Sequence, residues 1–367
     1  MSKLCLIYNF AQHYRSEIFQ AIDAEFDCDF FFGDSYLDVK KMDYNLIKRG
    51  KVTEVHNRYF GPAIYQEGIP SLMRKYDTFL MTGETHAIST WLFLLYSRLF
   101  KHKHIYFWNH GWYGKESKMQ VVLKKFFYSM TTGVFVYSYY AKDLMEKVGI
   151  PADKVHVIHN SLAYTKQIEV RKQLSLQPIY KEHFGNDNPN LMFVGRLTPV
   201  KKLDMNLRAM HVCKQQGKIY NMTFIGGGEM MNELRALTKE LGLEEQVWFY
   251  GPCYDERLLG DMIYNADLCV APGNVGLTAM HTMVFGCPVI THNDFKWQMP
   301  EFEAIQEGKT GCFFTNGDLD SLVEQINRWF EQNGDKREVV RKDCMKEIDD
   351  SWTPAFQMDV FKKNIKF

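Results

Sequence analysis

The sequence has no surplus charge of either sign: 44 Lys and Arg stand against 44 Asp and Glu in 367 residues. A nucleic-acid partner would call for a basic excess, so none is expected. The eight cysteines contain no C-x-x-C pair and no His/Cys cluster at metal spacing. In a chain of this size such scatter points to reduced thiols in a cytoplasmic setting. No apolar run approaches the ~20 residues of a membrane span. The opening Leu4-Cys5-Leu6-Ile7-Tyr8 breaks too soon for a signal peptide. Low-complexity tracts and short-period repeats are absent. Gly226-Gly227-Gly228 follows an apolar run but does not match G-x-G-x-x-G, which argues against a nicotinamide enzyme. The carboxylate pairs Asp27/Asp29 and Asp318/Asp320 fall at a strand start and a helix start, where Asp is a common cap. Neither a metal nor another cofactor is expected.

What is present is alternation. Short apolar runs recur in the first half at Leu4–Tyr8, Cys28–Phe32, Thr78–Met81, Ile105–Trp108, Val134–Tyr137 and Val155–Ile158. In the second half they fall at Leu191–Val194, Met222–Ile225, Val247–Tyr250, Leu268–Ala271 and Pro288–Thr291. Their length and β-branched or aromatic content predict buried parallel strands. Between them lie helical spacings, such as Leu203/Leu207/Met210 and Leu234/Leu237/Leu241. Strand and helix in alternation give βαβ units and open sheets. The length favours two domains. The polar stretch ending in Gly185-Asn186-Asp187-Asn188-Pro189-Asn190 reads as an irregular linker. The expected plan is residues 1–165 as one α/β domain, 166–189 as linker, 190–351 as a second, and 352–367 returning to the first. Trp352, Phe356 and Phe361 would anchor that tail.

Two segments carry chemistry in the second half. In Val194-Gly195-Arg196-Leu197-Thr198-Pro199-Val200-Lys201, a strand ends at a glycine and two cations follow. At the carboxyl end of a strand they suit an anionic ligand, Arg through two-pronged bonds and Lys as a point charge. Two solvated surface cations would look the same. In Ala271-Pro272-Gly273-Asn274-Val275-Gly276-Leu277, a strand runs through a glycine turn into a helix. The free N–H groups there form an anion site or simply a tight turn. In the first half, His110 follows a strand within Trp108-Asn109-His110-Gly111-Trp112, and His13 and Arg15 follow the first strand.

Taken in order, these residues resemble glycosyltransferase family 4, the retaining group 1 family, from about Leu191 to Gly311. The landmarks are Gly195-Arg196-Leu197 with Lys201, Ile225-Gly226-Gly227-Gly228, Phe249-Tyr250-Gly251, Asn265-Ala266-Asp267, Pro272 with Gly276-Leu277, Gly286-Cys287-Pro288-Val289-Ile290, and Pro300-Glu301. The resemblance implies the GT-B fold: two Rossmann-like doubly wound α/β domains facing a cleft. It implies Arg196 and Lys201 as catalytic cations on the diphosphate of a nucleotide-sugar donor, with His110 facing the sugar. Gly195, Asn274, Gly276, Leu277, His281 and Glu301 would complete the donor site. His13 and Arg15 would meet the acceptor. Relatives carry two glutamates eight residues apart where this chain has Gly273 and His281.

The expected activity is metal-independent transfer of a hexose-like sugar, with retention, to a glycan or lipid-linked glycan in bacterial surface-polysaccharide synthesis. The competing readings are a catalytically inactive GT-B-like scaffold, favoured by the missing glutamates, and an epimerase of the donor. A further expectation concerns partners. From Thr85 to Met130 seven Lys and Arg accompany one acid, beside the apolar segments Trp91–Tyr96 and Val121–Tyr128. Arg98, Lys101, Lys103, Lys124 and Lys125 would seat the first domain on an anionic membrane surface as a peripheral protein of the inner face. Both segments would equally serve as core helices.

Overall fold

The computed structural model describes residues 3–34, 39–99 and 102–367. Its strands, in order, are β1 Leu4–Tyr8, β2 Cys28–Gly33, β3 Val52–Val55, β4 Asn57–Phe60, β5 Ala63–Gln66, β6 Thr78–Met81, β7 His104–Asn109, β8 Gly133–Val136 and β9 Val155–Val157, then β10 Asn190–Val194, β11 Asn221–Ile225, β12 Val247–Gly251, β13 Leu268–Ala271, β14 Val289–His292 and β15 Gly311–Phe314. The helices are α1 Ser16–Glu25, α2 Ile88–Ser97, α3 Lys118–Ser129, α4 Tyr139–Lys147, α5 Tyr164–Arg171, α6 Ile179–Phe184, α7 Asp204–Gln215, α8 Met231–Glu240, α9 Glu256–Asn265, α10 Leu277–Met283, α11 Leu319–Asn333, α12 Arg337–Ser351 and α13 Pro354–Asn364.

The chain forms two compact units, Met1–Tyr164 with Thr353–Phe367, and Thr165–Trp352. The first is built on a parallel sheet of order β3-β2-β1-β6-β7-β8-β9, with β4 and β5 as a separate antiparallel hairpin. Every residue of β1 is buried. Cys5 and Ile7 join one core cluster with Phe79, Phe107 and Phe127, while Leu4, Leu6 and Tyr8 join another with Phe30, Trp108 and Phe361. Alternate residues feed opposite faces, so a strand covered on both sides must be apolar throughout. In the second unit the parallel sheet runs β12-β11-β10-β13-β14-β15. Each sheet reverses its winding beside its first strand, at β1/β6 and at β10/β13. Loops at the carboxyl ends of those strand pairs splay apart and leave room for a ligand.

Two sequence expectations need correction. The stretch read as an irregular linker contains α5 and α6, each held by the second unit. Arg171 pairs with Asp349 at 2.7 Å, and the Tyr180 hydroxyl donates to the Met262 carbonyl at 2.8 Å. Short polar helices without a strong apolar stripe leave little periodic signal. Trp352, expected to anchor the tail on the first unit, belongs to the second, where its indole donates to Glu347. The tail itself is α13. Met358, Phe361 and Ile365 enter the first unit's core, and Phe361 meets Trp108 and Phe135 edge-on at 5.2 and 4.8 Å.

Candidate active site

The second unit's site grows from glycines that let loops touch. Gly226 has φ +148°, and a Cβ there would lie 1.9 Å from the Gly195 carbonyl oxygen. Only glycine permits both the angle and the approach. The loop after β11 is thus laid directly on the loop after β10, and Leu197 N–H donates to the Gly227 carbonyl at 2.9 Å. The three glycines fix the backbone around Arg196. On the other side, Gly273 N–H donates to the Lys201 carbonyl at 3.0 Å and Asn274 N–H to that of Val200 at 3.3 Å. Thr278 Oγ1 donates to the Val194 carbonyl at 2.9 Å, tying the first turn of α10 to the end of β10. Gln298 braces the Gly273–Val275 turn, accepting from Val275 N–H at 2.9 Å.

This scaffold brings most of the donor residues expected from sequence together. Lys201 Nζ donates to the Asn274 carbonyl at 2.5 Å, and the Cβ position of Gly276 lies 3.8 Å from that nitrogen. Burial pushes the Lys201 pKa down to about 8; Arg196 lowers it further and Glu301 opposes the shift. The three charged groups are therefore electrostatic neighbours. Arg196 is exposed and forms no ion pair among the described residues. Glu301 is 2% exposed, in a 3₁₀ turn from Pro300 to Ala304.

At the departed positions the geometry is specific. A Cβ on Gly273 would stand 2.1 Å from the Val200 carbonyl oxygen, so no glutamate fits there with this loop packing. His281 Nε2 lies 3.3 Å from Glu256 Oε1, at the start of α9, and Gln167 Nε2 donates to the same oxygen at 3.1 Å. Those contacts hold the Glu256 carboxyl below its usual range, against the opposing effect of its burial. A carboxylate thus stands beside His281 after all, contributed by another helix. Glu256, Thr278 and Gln298 carried no sequence signal, because each acts through a neighbour remote in the chain.

In the first unit, Asn109 Nδ2 donates to the carbonyls of Thr82 and Gly83, both at 2.9 Å, joining the ends of β6 and β7. His110 follows, its ring 4.9 Å from Tyr137 and 5.8 Å from Tyr113. Burial, with a smaller push from Arg15, lowers its pKa to about 4, so it is neutral at physiological pH. Arg15 is buried among aromatic rings. His13 is exposed, with Nδ1 3.3 Å from the Lys40 carbonyl oxygen. His110 and Arg15 lie together, while His13 faces solvent beside Lys40. Among the described residues, no three His, Cys, Asp or Glu side chains converge as a metal-ligand set.

Two doubly wound units with cations and glycine turns at the second switch point define the GT-B architecture. Residues 179–345 match the family model described as glycosyl transferases group 1, so the resemblance read from the motifs holds over the second unit. An uncharacterized glycosyltransferase of Methanocaldococcus jannaschii, MJ1607, is 28% identical over 166 residues, 41% of this chain and 40% of that protein. The match thus spans less than half of that relative's length. The structure of Anabaena Alr3699/HepE in complex with UDP superposes with a TM-score of 0.71 at 14% identity, covering 98% of this chain and 99% of that one. The lipopolysaccharide outer core galactosyltransferase WaaB gives 0.72 at 16% identity, covering 99% and 98%. At such identities these likenesses establish the GT-B fold.

Proposed function

We propose that the chain is a metal-independent, retaining glycosyltransferase. It moves a sugar from a nucleoside-diphosphate donor to a hydroxyl of a glycan or lipid-linked glycan, in surface-polysaccharide synthesis. The observation that carries this reading is the pairing of Arg196, which has no ion partner among the described residues, with half-buried Lys201 at the β10/β13 switch point. Two cations in this position neutralise charge as a nucleoside diphosphate departs, a leading contribution to catalysis of transfer. A Lys with a pKa near 8 is mostly protonated at neutral pH, and an arriving diphosphate fixes that charge. Amides at Gly276 and Leu277 add donors, His281 with Glu256 meets the ribose, and Asn274 and Glu301 border the sugar. Neutral His110 offers a hydrogen bond to a bound sugar, and His13 and Arg15 belong to the acceptor side. UDP in the HepE complex and the description of WaaB as a lipopolysaccharide outer core galactosyltransferase support both halves.

Replacing Arg196 or Lys201 with Ala should lower turnover by about 10²–10³-fold. Normal kinetics in both variants would sink the assignment. Donor hydrolysis in the absence of acceptor distinguishes the enzyme from an inactive nucleotide-binding scaffold.

The acceptor reading extends to a membrane partner. On α2 the residues Ile88, Leu92 and Leu95, and Leu99 beyond it, are 40–74% exposed; on α3 Met119, Val122, Leu123 and Phe126 are 47–81% exposed. Both are stripes at helical spacing turned to solvent, and Trp91 stacks on Phe126 to join them. Exposed Arg98, Lys115, Lys118 and Lys125 border them. Two of the expected basic contacts do other work: Lys103 is tied to Asp77 at 2.6 Å, and Lys124 to Glu116 at 2.7 Å. Lys101 lies outside the described residues. Among the described residues no helix is long and apolar enough to cross a membrane. Co-sedimentation with anionic vesicles at low salt should be lost in a Leu95→Gln, Val122→Gln, Phe126→Gln variant. Equal sedimentation of that variant would remove this face as the contact.

A further inference from the structure

One group of side chains in the first unit is left unexplained by a donor site. Arg15 is 5% exposed, and its Nε and Nη1 have no hydrogen-bond partner among the described residues. Among the described residues no carboxylate lies within ion-pair reach of it. Its guanidinium carbon lies instead 5.2 Å from the ring centre of Tyr137, 5.4 Å from Trp108, and 5.8 Å from both Tyr8 and Tyr14. Trp108 Nε1 and His110 Nδ1 are also shut from solvent without a partner. The atoms left over are thus two guanidinium nitrogens, an indole N–H and an imidazole nitrogen, with no acid to match them.

Aromatic faces attract a cation, but they offer no lone pair in the guanidinium plane. Tyr14 bonds part of the guanidinium through its hydroxyl, while Nε and Nη1 stay unbonded with four rings around them. A water would occupy one N–H and leave the charge uncompensated, and a buried charge is retained at a large cost unless something balances it. What matches a guanidinium edge flanked by further donors is an oxyanion with two oxygens in reach. Place agrees with chemistry. Arg15 follows β1, Trp108 and His110 close β7, and Tyr137 follows β8, all at the carboxyl ends of adjacent or near strands of one sheet. That edge, beside the β1/β6 reversal, is where an open α/β sheet receives ligands. His110 is only partly buried and gives the cluster its way out to solvent. As a neutral ring it can donate to an anion without repelling Arg15.

We infer that the ligand of the first unit is an acidic sugar, one bearing a carboxylate or phosphate that Arg15, Trp108 and His110 bind together. Naming that ligand as the acceptor rests on the glycosyltransferase reading; the anion site itself does not. The chemistry excludes a wholly neutral glycan as the natural occupant, because such a ligand leaves the guanidinium unbalanced.

Thermal shift and calorimetry on the full chain test this with four probes: glucuronate, glucose 1-phosphate, inorganic phosphate and glucose. Glucuronate or the phosphate probes should raise the melting temperature at millimolar concentration while glucose does not, and the arm that responds tells carboxylate from phosphate. The shift should persist in Arg196→Ala, vanish in Arg15→Met and survive in part in Arg15→Lys. Should Arg15→Met fail to fold, His110→Gln should weaken the responding probe about tenfold. No response to any acidic probe, an equal response to glucose, or a shift lost in Arg196→Ala and kept in Arg15→Met overturns the inference. The donor reading fails separately, through transfer kinetics of the Arg196 and Lys201 variants.

Discussion

The two units place polar loops at the same point of the same kind of sheet, yet build them by opposite means. In the second unit, backbone lies on backbone. Gly226 against Gly195 and Gly273 against Val200 bring the loops after β10, β11 and β13 into contact, and Lys201 is held by the Asn274 carbonyl. In the first unit, large side chains make the site. Tyr8, Trp108 and Tyr137 wall a guanidinium, and Trp108 also meets the returning Phe361. A frame of backbone contacts tolerates no added atom and satisfies the backbone groups that build it. A frame of rings leaves donors such as Trp108 Nε1 and His110 Nδ1 with work to do. The first suits a ligand gripped by amides and cations, the second one selected by the charge it brings.

The sharpest way to break this contrast is a single methyl group. In Gly226→Ala the new Cβ would meet a carbonyl oxygen at 1.9 Å, with φ at +148°. Overpacking and a disfavoured backbone angle together should cost about 3 kcal/mol or more. The loss should fall on the second unit, with nucleotide binding reduced alongside. Urea melts followed by Trp248 in the second unit and Trp108 in the first, each in a background lacking the other tryptophans, would locate it. Equal loss in both units would show that the glycine contacts are not the second unit's own frame.

A smaller effect separates the units by pH. His110 and His159 in the first unit, and His292 in the second, have pKa values lowered to about 4, in each case chiefly by burial. The unfolded chain takes up those protons near pH 6.5 and the folded one does not. Stability is therefore complete above pH 6.5, declines as pH falls, and levels off near pH 4, at about 1.4 kcal/mol per pH unit for each histidine. The first unit, with two such groups, should show the steeper acid slope. His159→Gln should flatten it at constant pH 7.5 stability to within about 1 kcal/mol. An unchanged slope would mean that His159 titrates normally in the fold.

The same contrast decides what could be read in the sequence. Sheets on both faces need strands apolar throughout, so the runs from Leu4–Tyr8 to Leu268–Ala271 were legible as strands. Gly195 and Gly276 were legible because their positive φ favours glycine, Gly226, Gly228 and Gly273 because a Cβ there would meet backbone, and Arg196 by its place beside Gly195. The hairpin Asn57–Phe60/Ala63–Gln66 was not, since the successive residues Arg58, Tyr59 and Phe60 are all exposed and break the alternation on β4. Nor was the aromatic box around Arg15, because Tyr8, Trp108 and Tyr137 read as ordinary strand residues until the sheet order sets them side by side. Glu256 was hidden for the same reason: 25 residues separate it from His281 in sequence and 3.3 Å in space.

That pair gives the finest test of whether the second unit's frame is complete. If the carboxylate beside His281 serves the ribose, Glu256→Gln and His281→Ala should each weaken binding of a free nucleoside diphosphate, by about tenfold, or 1.4 kcal/mol. Gln167 keeps a partner in Glu256→Gln, since an amide oxygen still accepts its hydrogen bond, so the loss would report the charge rather than the packing. Exchanging the two groups, Glu256→His with His281→Glu, moves the carboxylate onto α10 and its partner onto α9. Coupled residues of this kind recover in the double variant part of what each single change loses. The exchange should therefore bind more tightly than either Glu256→His or His281→Glu alone. Strictly additive losses would leave His281 and Glu256 as neighbours without a joint role, and the ribose contact would have to be sought among groups nearer Asn274 and Glu301.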